Sequence, residues 1–123
     1  MKILFLDDDE QRHEYARKEL IGHEVWHVRT VAEALTQLSV GVFDLAMLDH
    51  DLGGQHYAPS NEVSGYEVAR RIADGDVPRP GFVRVHSYNA PGANRMVAAL
   101  VAGDVPCDWQ PFGPGTFRFG EAA

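Results

Sequence analysis

The stretch that decides the fold is FDLAMLDHDLGG, residues 43–54, in which a mostly apolar run ends on two carboxylates with an imidazole between them. A short run of this kind, closed by two glycines, is typical of a strand that is buried on both faces. Asp49, His50 and Asp51 stand where that strand ends. Three polar residues at the end of a buried strand mark this position as a candidate site.

On either side of this stretch, short apolar runs alternate with segments of helical spacing. Strands are predicted at residues 3–6, 25–28, 43–48, 82–86 and 105–109. Helices are predicted between them at residues 10–20, 30–38, 64–73 and 89–102. Alternation of strands and helices predicts an α/β fold, a parallel sheet with helices on both faces. Polar residues with glycine and proline predict a loop at 53–64, and dense glycine and proline predict an irregular tail at 112–123.

Composition limits the class of protein. The chain has 123 residues, of which 45% are hydrophobic and 24% charged, and this predicts one globular domain over residues 1–123. The single cysteine, Cys107, cannot form an internal disulfide and fits a reducing cytoplasm. A net charge of −7 without any run of Lys or Arg argues against duplex nucleic acid as a partner. The apolar run at residues 3–6 is far too short to span a membrane, so no membrane partner is expected.

Carboxylates follow two strands that should be neighbours. Asp7, Asp8 and Asp9 follow the first strand, and Asp49 and Asp51 follow the third. Ligands of such sheets bind beyond the carboxyl ends of the strands. Carboxylates that converge there repel, and one must take up a proton unless a cation lies between them.

Magnesium prefers oxygen ligands, so the sequence predicts a divalent cation, Mg²⁺ or alternatively Mn²⁺. Its predicted ligands are Asp7, Asp8 and Asp49, with Asp51 assisting. The alternative, strongest for Asp9, is that the first three aspartates only cap the first helix, since Asp is common at N-caps.

Two of the six histidines lie at the carboxyl ends of central strands. His50 and His86 are predicted to act as catalytic acid and base, or to donate to a phosphate, because imidazole titrates near neutral pH. The alternative is a strand-end histidine satisfied by a backbone carbonyl. The other histidines are expected to have no function, and His13 should lie on the surface of the first helix. No spacing typical of a zinc site is present.

A candidate phosphate-binding segment follows the fourth strand. Ser87 can donate to a phosphoryl oxygen, and Asn89 is a good N-cap for the helix that follows. The free N–H groups and the positive dipole of that helix start favour an anion. The alternative is that Asn89 only caps the helix and Ser87 only shapes the turn.

These residues together resemble a receiver domain of two-component signalling. Asp7 and Asp8 match the acidic metal pair of receivers, Asp49 the phospho-accepting aspartate, and Ser87 the hydroxyl residue that ends strand four. The resemblance implies a flavodoxin-like (CheY-like), doubly wound sheet of five parallel strands in the order 2-1-3-4-5.

The chain departs from the receiver pattern in three places. Receivers carry a lysine before a proline after strand five, where this chain has Gln110 before Pro111. The segment from Asp49 to Gly65 is longer than usual. The last helix of the fold has no counterpart after Phe112.

Three motifs resemble a narrower group, the cyclic-phosphate-processing receiver-like domains of bacteria and phages. They are LDDDE at residues 6–10, LDHDLG at 48–53, and HSYN at 86–89 followed by Gly92. The resemblance implies processing of cyclic phosphates. Two histidines without the lysine suit hydrolysis or binding of a phosphate ester better than storage of an aspartyl phosphate.

The leading hypothesis is a metal-dependent phosphoesterase whose partner is a small phosphate ester or nucleotide, with Tyr57 stacking on a base. The alternatives are a phospho-accepting receiver and a binding module without catalysis.

Without a fifth helix, an apolar patch that includes Val105, Trp109 and Phe112 needs cover. The tail, with Phe117 and Phe119, or a second copy of the chain could provide it, and we expect a homodimer.

Overall fold

A computed structural model describes residues 1–52, 61 and 63–119. The five strands are β1 (Lys2–Leu6), β2 (Glu24–Val28), β3 (Leu45–Leu48), β4 (Phe82–Val85) and β5 (Cys107–Trp109). The helices are α1 (Glu10–Glu19), α2 (Val31–Val40), α3 (Gly65–Ala73), α4 (Ala90–Ala102) and a 3₁₀ turn at Pro114–Phe117. The strands form one parallel sheet in the order β2-β1-β3-β4-β5, which confirms the predicted flavodoxin-like fold.

Two strands begin later than predicted. β3 begins at Leu45 rather than Phe43, and β5 at Cys107 rather than Val105. Proline has no N–H to donate, so Pro106 contributes only its carbonyl, which accepts from the Val83 N–H at 2.9 Å. The predicted contact of Tyr57 and most of the predicted loop at 53–64 lie outside the described residues.

Side-chain oxygens cap three of the four helices. Asp9 accepts from the Gln11 N–H at 2.8 Å, and Thr30 accepts from the Glu33 N–H at 3.1 Å. Asn89 caps α4 in the same way. The capping alternatives considered for Asp9 and Asn89 are therefore present in the structure.

Alternation along the strands divides the core into two layers. Leu4 and Leu6 of β1 and their counterparts in β3 and β4 pack under α2, α3 and α4. Ile3 and Phe5 face the other way, toward α1. Successive side chains of a strand point to opposite faces, so the residues just beyond a strand end continue the alternation and each faces one of the two layers.

No described helix is long and apolar enough to cross a membrane. The cytoplasmic location stays a prediction.

The tail covers the sheet face beside α1. Phe117 is buried there, and Phe112 and Phe119 pack against the same apolar cluster. Up to residue 119, no fifth α-helix follows β5, as expected. The homodimer stays a prediction, and light scattering at high concentration checks it. The assignment of residues 1–123 to one domain also stays a prediction.

One buried arginine of β4 ties the tail to the sheet. Arg84 binds both carboxylate oxygens of Asp108 at 2.9 Å. Its Nη1 donates to the carbonyl oxygens of Thr116 at 3.1 Å and Arg118 at 2.7 Å. These four contacts engage four of the five N–H groups of a side chain that is only 10% exposed.

Replacing Arg84 with methionine should lower the free energy of unfolding by about 2–4 kcal/mol, because it removes the donors of a carboxylate and two carbonyls. The tail should also become sensitive to limited proteolysis. Urea denaturation measures the first effect, with Arg95→Met on the exposed face of α4 as the matched control. Equal stability losses in the two variants would show that Arg84 does not anchor the tail.

Candidate metal and phosphate site

Three buried side chains converge at the carboxyl edge of the sheet. One ligand atom from each of Asp7, Asp49 and His86 lies within 4.8 Å of the others. Asp7 and His86 are fully buried, and Asp49 is 4% exposed.

The sheet register brings the three together. Phe5 pairs with Met47, and Met47 pairs with Arg84. Asp7, Asp49 and His86 each follow one of these three residues by two positions. Their side chains therefore point to the same face of the sheet, the one that α1 covers. The parallel pairing therefore extends past the strand ends as a row of polar groups.

Asp7 is held as a carboxylate. Its Oδ1 accepts from the Asp9 N–H at 2.9 Å, and its Oδ2 accepts from His86 Nε2 at 2.9 Å and Arg12 Nη1 at 3.2 Å. Burial by itself would raise the pKa of this carboxyl. The hydrogen bond and the charge of His86, helped by Asp9 and Arg12, outweigh burial and lower the pKa of Asp7 below its usual value.

Asp49 has weaker compensation. Its Oδ1 accepts from the His50 N–H at 2.9 Å, and its Oδ2 lies 3.8 Å from Arg12 Nη1. Burial raises the pKa of Asp49 to about 7, and the charge of Asp7 adds to this, although His86 and Arg12 oppose it. At neutral pH the neighbouring positive charges therefore do not fully compensate the negative charges of the two carboxylates.

His86 lies between an aromatic ring and Asp7. Its ring stacks on Phe5 with centroids 5.1 Å apart and planes 3° apart. Its Nε2–H donates to Asp7, and its Nδ1 is buried with no hydrogen-bond partner among the described residues. The hydrogen bond from His86 orients the Asp7 carboxylate. The catalytic role of His86 stays a prediction.

His50 and Asp51 belong to a different environment from Asp49. The His50 ring is fully buried against Gly92 at the start of α4. Its Nδ1 lies 2.6 Å from Asp51 Oδ1, which also accepts from Asn89 Nδ2 at 2.9 Å. Asp49 and His50 lie in different environments because adjacent residues of an extended strand point to opposite faces of the sheet. The catalytic role of His50 and the metal role of Asp51 stay predictions.

The other predicted site residues lie nearby but outside the three-residue group. Asp8 is partly exposed and borders a cavity of about 790 Å³ beside α2 and α3. Ser87 Oγ accepts from the Asn89 N–H at 3.0 Å, and Asn89 Oδ1 accepts from the Gly92 N–H at 3.1 Å. The structure therefore contains the local turn and the helix cap. Two roles stay predictions: the binding of phosphate by Ser87 and Asn89, and the binding of metal by Asp8.

The prediction that His13 lies on the helix surface is wrong. His13 is fully buried, and its Nε2–H donates to the backbone oxygen of Asp7 at 2.7 Å. Its Nδ1 lies 2.7 Å from Nδ1 of His27. Burial lowers the pKa of His13, and burial together with the neighbouring charge of His13 lowers the pKa of His27 to about 4. A signal was available, because His13, Ala16 and Leu20 share the i, i+3, i+7 spacing of one helix face.

Sequence reasoning also missed Arg12. Its guanidinium, 20% exposed, lies beside both carboxylates and over the rings of Tyr88 and Phe112, 5.1 and 5.0 Å from their centroids. An arginine in the first turns of an amphipathic helix looks like an ordinary surface residue, so only the fold shows this contact.

The donor set fits a hard divalent cation. Two buried carboxylates supply the oxygen ligands that Mg²⁺ and Mn²⁺ prefer. The raised pKa of Asp49 shows that the existing neighbours do not fully compensate the pair. Asp7 and Asp49 would hold the cation, and His86 would orient Asp7.

Several solved structures share the fold. A response regulator from Burkholderia pseudomallei, solved with a phosphorylated aspartic acid, a calcium ion and citrate, has a TM-score of 0.67 at 20% identity. The similarity covers 94% of this chain and 62% of that chain, so this chain spans less than two thirds of that protein. The non-phosphorylated HemR receiver domain from Leptospira biflexa has a TM-score of 0.66 at 23% identity, over 94% and 86% of the two chains.

A CheY-like receiver domain protein from Methanospirillum hungatei JF-1 has a TM-score of 0.60 at 21% identity, over 93% and 84%. At these identities the similarity shows the receiver fold alone. A comparison with curated proteins gives no match. The family model described as the cyclic-phosphate processing receiver domain matches residues 2–102, and the chain belongs to that family.

Proposed function

We propose that the protein binds a divalent cation, Mg²⁺ or Mn²⁺, at Asp7 and Asp49 and hydrolyses a small phosphate ester of the nucleoside cyclic phosphate class. The observation that carries the proposal is the buried convergence of Asp7, Asp49 and His86 at the carboxyl edge of the sheet. Membership of the cyclic-phosphate processing receiver family supports the substrate class.

The chain's own residues prepare the site. His86 and the Asp9 N–H fix the two oxygens of Asp7, and the His50 N–H fixes one oxygen of Asp49. A bound divalent cation would supply Lewis-acid polarisation of a phosphoryl oxygen. The hydroxyl hydrogen of Ser87 has no acceptor among the described residues, so we assign it to a phosphoryl oxygen. His50 and His86 remain the proposed acid and base.

The cavity beside Asp8 suits the organic part of an ester. Its volume of about 790 Å³ lies within the range of small-molecule sites. Apolar residues such as Leu35, Leu52 and Val63 line it, with Arg29 and Arg71 also in its wall. The apolar part of this wall favours a nucleotide-like ester over inorganic phosphate as the occupant of the cavity.

The experiment is incubation with Mg²⁺ or Mn²⁺ and a panel of 2′,3′- and 3′,5′-cyclic nucleotides, with chromatographic detection of the ring-opened product. We expect cation-dependent turnover that is lost in Asp7→Asn and His86→Ala. His23→Ala is the matched control, because His23 contacts the terminal amine of Met1 at an exposed position. Absence of turnover, or full turnover in His86→Ala, would count against the proposal.

Cation binding should release protons. At pH 7, a carboxyl with a pKa of about 7 is half protonated, so binding should release about half a proton from Asp49. The apparent affinity for Mg²⁺ should therefore rise between pH 6 and 8. Calorimetry in buffers of different ionisation enthalpy measures the released protons, and Asp49→Asn should show none. Heats that do not depend on the buffer would refute the involvement of Asp49.

A phospho-accepting receiver is the second candidate. The position of Asp49 at the end of β3 favours it, and the similar Burkholderia protein was solved with a phosphorylated aspartic acid. Gln110 in place of lysine argues against it. Acetyl phosphate should add a phosphoryl group to the wild type but not to Asp49→Asn if this candidate is right. Tight nucleotide binding without turnover would instead identify a binding module.

A further inference from the structure

We propose that Arg12 is the phosphate-binding cation of this site: it neutralises the two carboxylates until a divalent cation displaces it, and it then binds the phosphate group of the ligand. This inference rests on the proposed cation binding at Asp7 and Asp49, and it assigns to the site a residue that the receiver pattern does not supply.

The first step is competition for the same oxygens. Backbone N–H groups hold Oδ1 of Asp7 and Oδ1 of Asp49. Arg12 Nη1 lies beside the other oxygens, 3.2 Å from Asp7 Oδ2 and 3.8 Å from Asp49 Oδ2. A cation that binds both carboxylates meets the guanidinium there, so the two positive groups exclude each other.

The second step is the change of charge. Without a divalent cation, Arg12 partly compensates two negative carboxylates. With one in place, the carboxylates are neutralised and the displaced guanidinium adds an uncompensated positive charge beside them. A phosphate anion is attracted to that arrangement, and guanidinium binds phosphate through paired hydrogen bonds.

The third step is that the aromatic neighbours keep Arg12 close. The rings of Tyr88 and Phe112 each lie about 5 Å from the guanidinium carbon, within the range of cation–π contact. The Tyr88 hydroxyl donates to the Phe112 backbone oxygen, which joins the two rings. Tyr88 lies between Ser87 and Asn89 in the chain, the residues proposed to contact phosphate, so its ring keeps the displaced guanidinium beside that segment.

Among the described residues, Arg12 has no substitute of the same charge beside Asp7 and Asp49. Receivers use a lysine after strand five, where this chain has Gln110. In the described part of the chain, no other lysine or arginine forms an ion pair with Asp7 or Asp49.

The test compares wild type, Arg12→Gln and Arg12→Lys by calorimetry at about pH 9, where Asp49 is ionised in the wild type. Arg17→Gln is the matched control, because Arg17 lies on the same helix and pairs only with exposed Glu14 in the described structure. Arg12→Gln should bind Mg²⁺ several-fold more tightly, since its competitor is gone. The Mg²⁺-loaded variant should bind methyl phosphate about tenfold more weakly, and Arg12→Lys should restore part of that affinity.

The opposite directions separate this role from a structural one. Weaker binding of both Mg²⁺ and methyl phosphate in Arg12→Gln would mean that Arg12 only supports the fold, and it would overturn the inference. Unchanged methyl phosphate affinity would do the same. A wild type that binds no Mg²⁺ would refute the proposed function as well, whereas Mg²⁺ binding that is equal in wild type and Arg12→Gln would refute the Arg12 inference alone.

Discussion

Replacing Asp49 with asparagine should stabilise the metal-free protein above pH 7, whereas replacing Asp7 with asparagine should destabilise it. The two substitutions are chemically identical and affect carboxylates in the same cluster. Both should abolish binding of the divalent cation.

The expected gain in stability from Asp49→Asn follows from the raised pKa of Asp49. Burial raises this pKa from the usual 3.8 to about 7, so the folded protein holds a proton that the unfolded chain has lost. Stability from this group is complete below about pH 4 and is lost as the pH rises through 7. Each pKa unit corresponds to about 1.4 kcal/mol, so the neutral amide should gain roughly 2–4 kcal/mol at high pH and little at low pH.

The sign for Asp7 is opposite because its pKa is lowered. The hydrogen bond and charge of His86 stabilise the carboxylate against the cost of burial. Its contribution to stability is present above its ordinary pKa and is lost as the pH falls through the lowered value. Asparagine at this position leaves His86 and Arg12 without their anionic partner, which should cost about 2–4 kcal/mol near neutral pH.

Urea denaturation of both variants, at about pH 5 and about pH 9 without divalent cations, measures the two effects. The stabilisation by Asp49→Asn should appear mainly at the higher pH. Loss of stability in both variants at the higher pH would show that Asp49 is already compensated in the folded protein. That result would remove the main electrostatic support for the cation site.

Replacing Gly65 with alanine should disrupt the junction between β3 and α3. A Cβ at Gly65 would lie 1.7 Å from the backbone oxygen of Asp49 and 2.8 Å from its carbonyl carbon. Both neighbours are backbone atoms, so no side chain can rotate away. The Gly65 N–H also donates to the His50 oxygen at 2.8 Å, and α3 must move away from this strand end to admit a methyl group. We expect a loss of about 3 kcal/mol or more, together with weaker Mg²⁺ binding.

Gly113→Ala is the control for this prediction. A Cβ at Gly113 meets only the Pro111 oxygen, at 3.8 Å, and the backbone there is extended. Thermal unfolding of the two variants should therefore differ clearly. Equal melting temperatures would mean that the β3–α3 junction is looser than the structure indicates.

The sequence by itself determined the sheet and the edge at which the polar residues collect. Alternating apolar runs and helical segments specify a parallel sheet, because parallel strands require crossovers. Residues placed after strands of a parallel sheet must share one edge, so Asp7 and Asp49 were correctly expected to approach each other. The N-caps Asp9 and Asn89 were also readable, since a cap depends on residues only three positions apart.

Only the tertiary structure decided which polar residues face one another. The register of three strands places Asp7, Asp49 and His86 in one row and turns His50 toward α4. The packing of α1 on that face brings Arg12 to the carboxylates. These contacts join residues far apart in the chain, and the pKa of Asp49 depends on their distances and on burial. Local sequence patterns carry no information about such distances. They therefore predicted where the site lies, but they did not predict the protonation of its carboxylates or the cation that pairs with them.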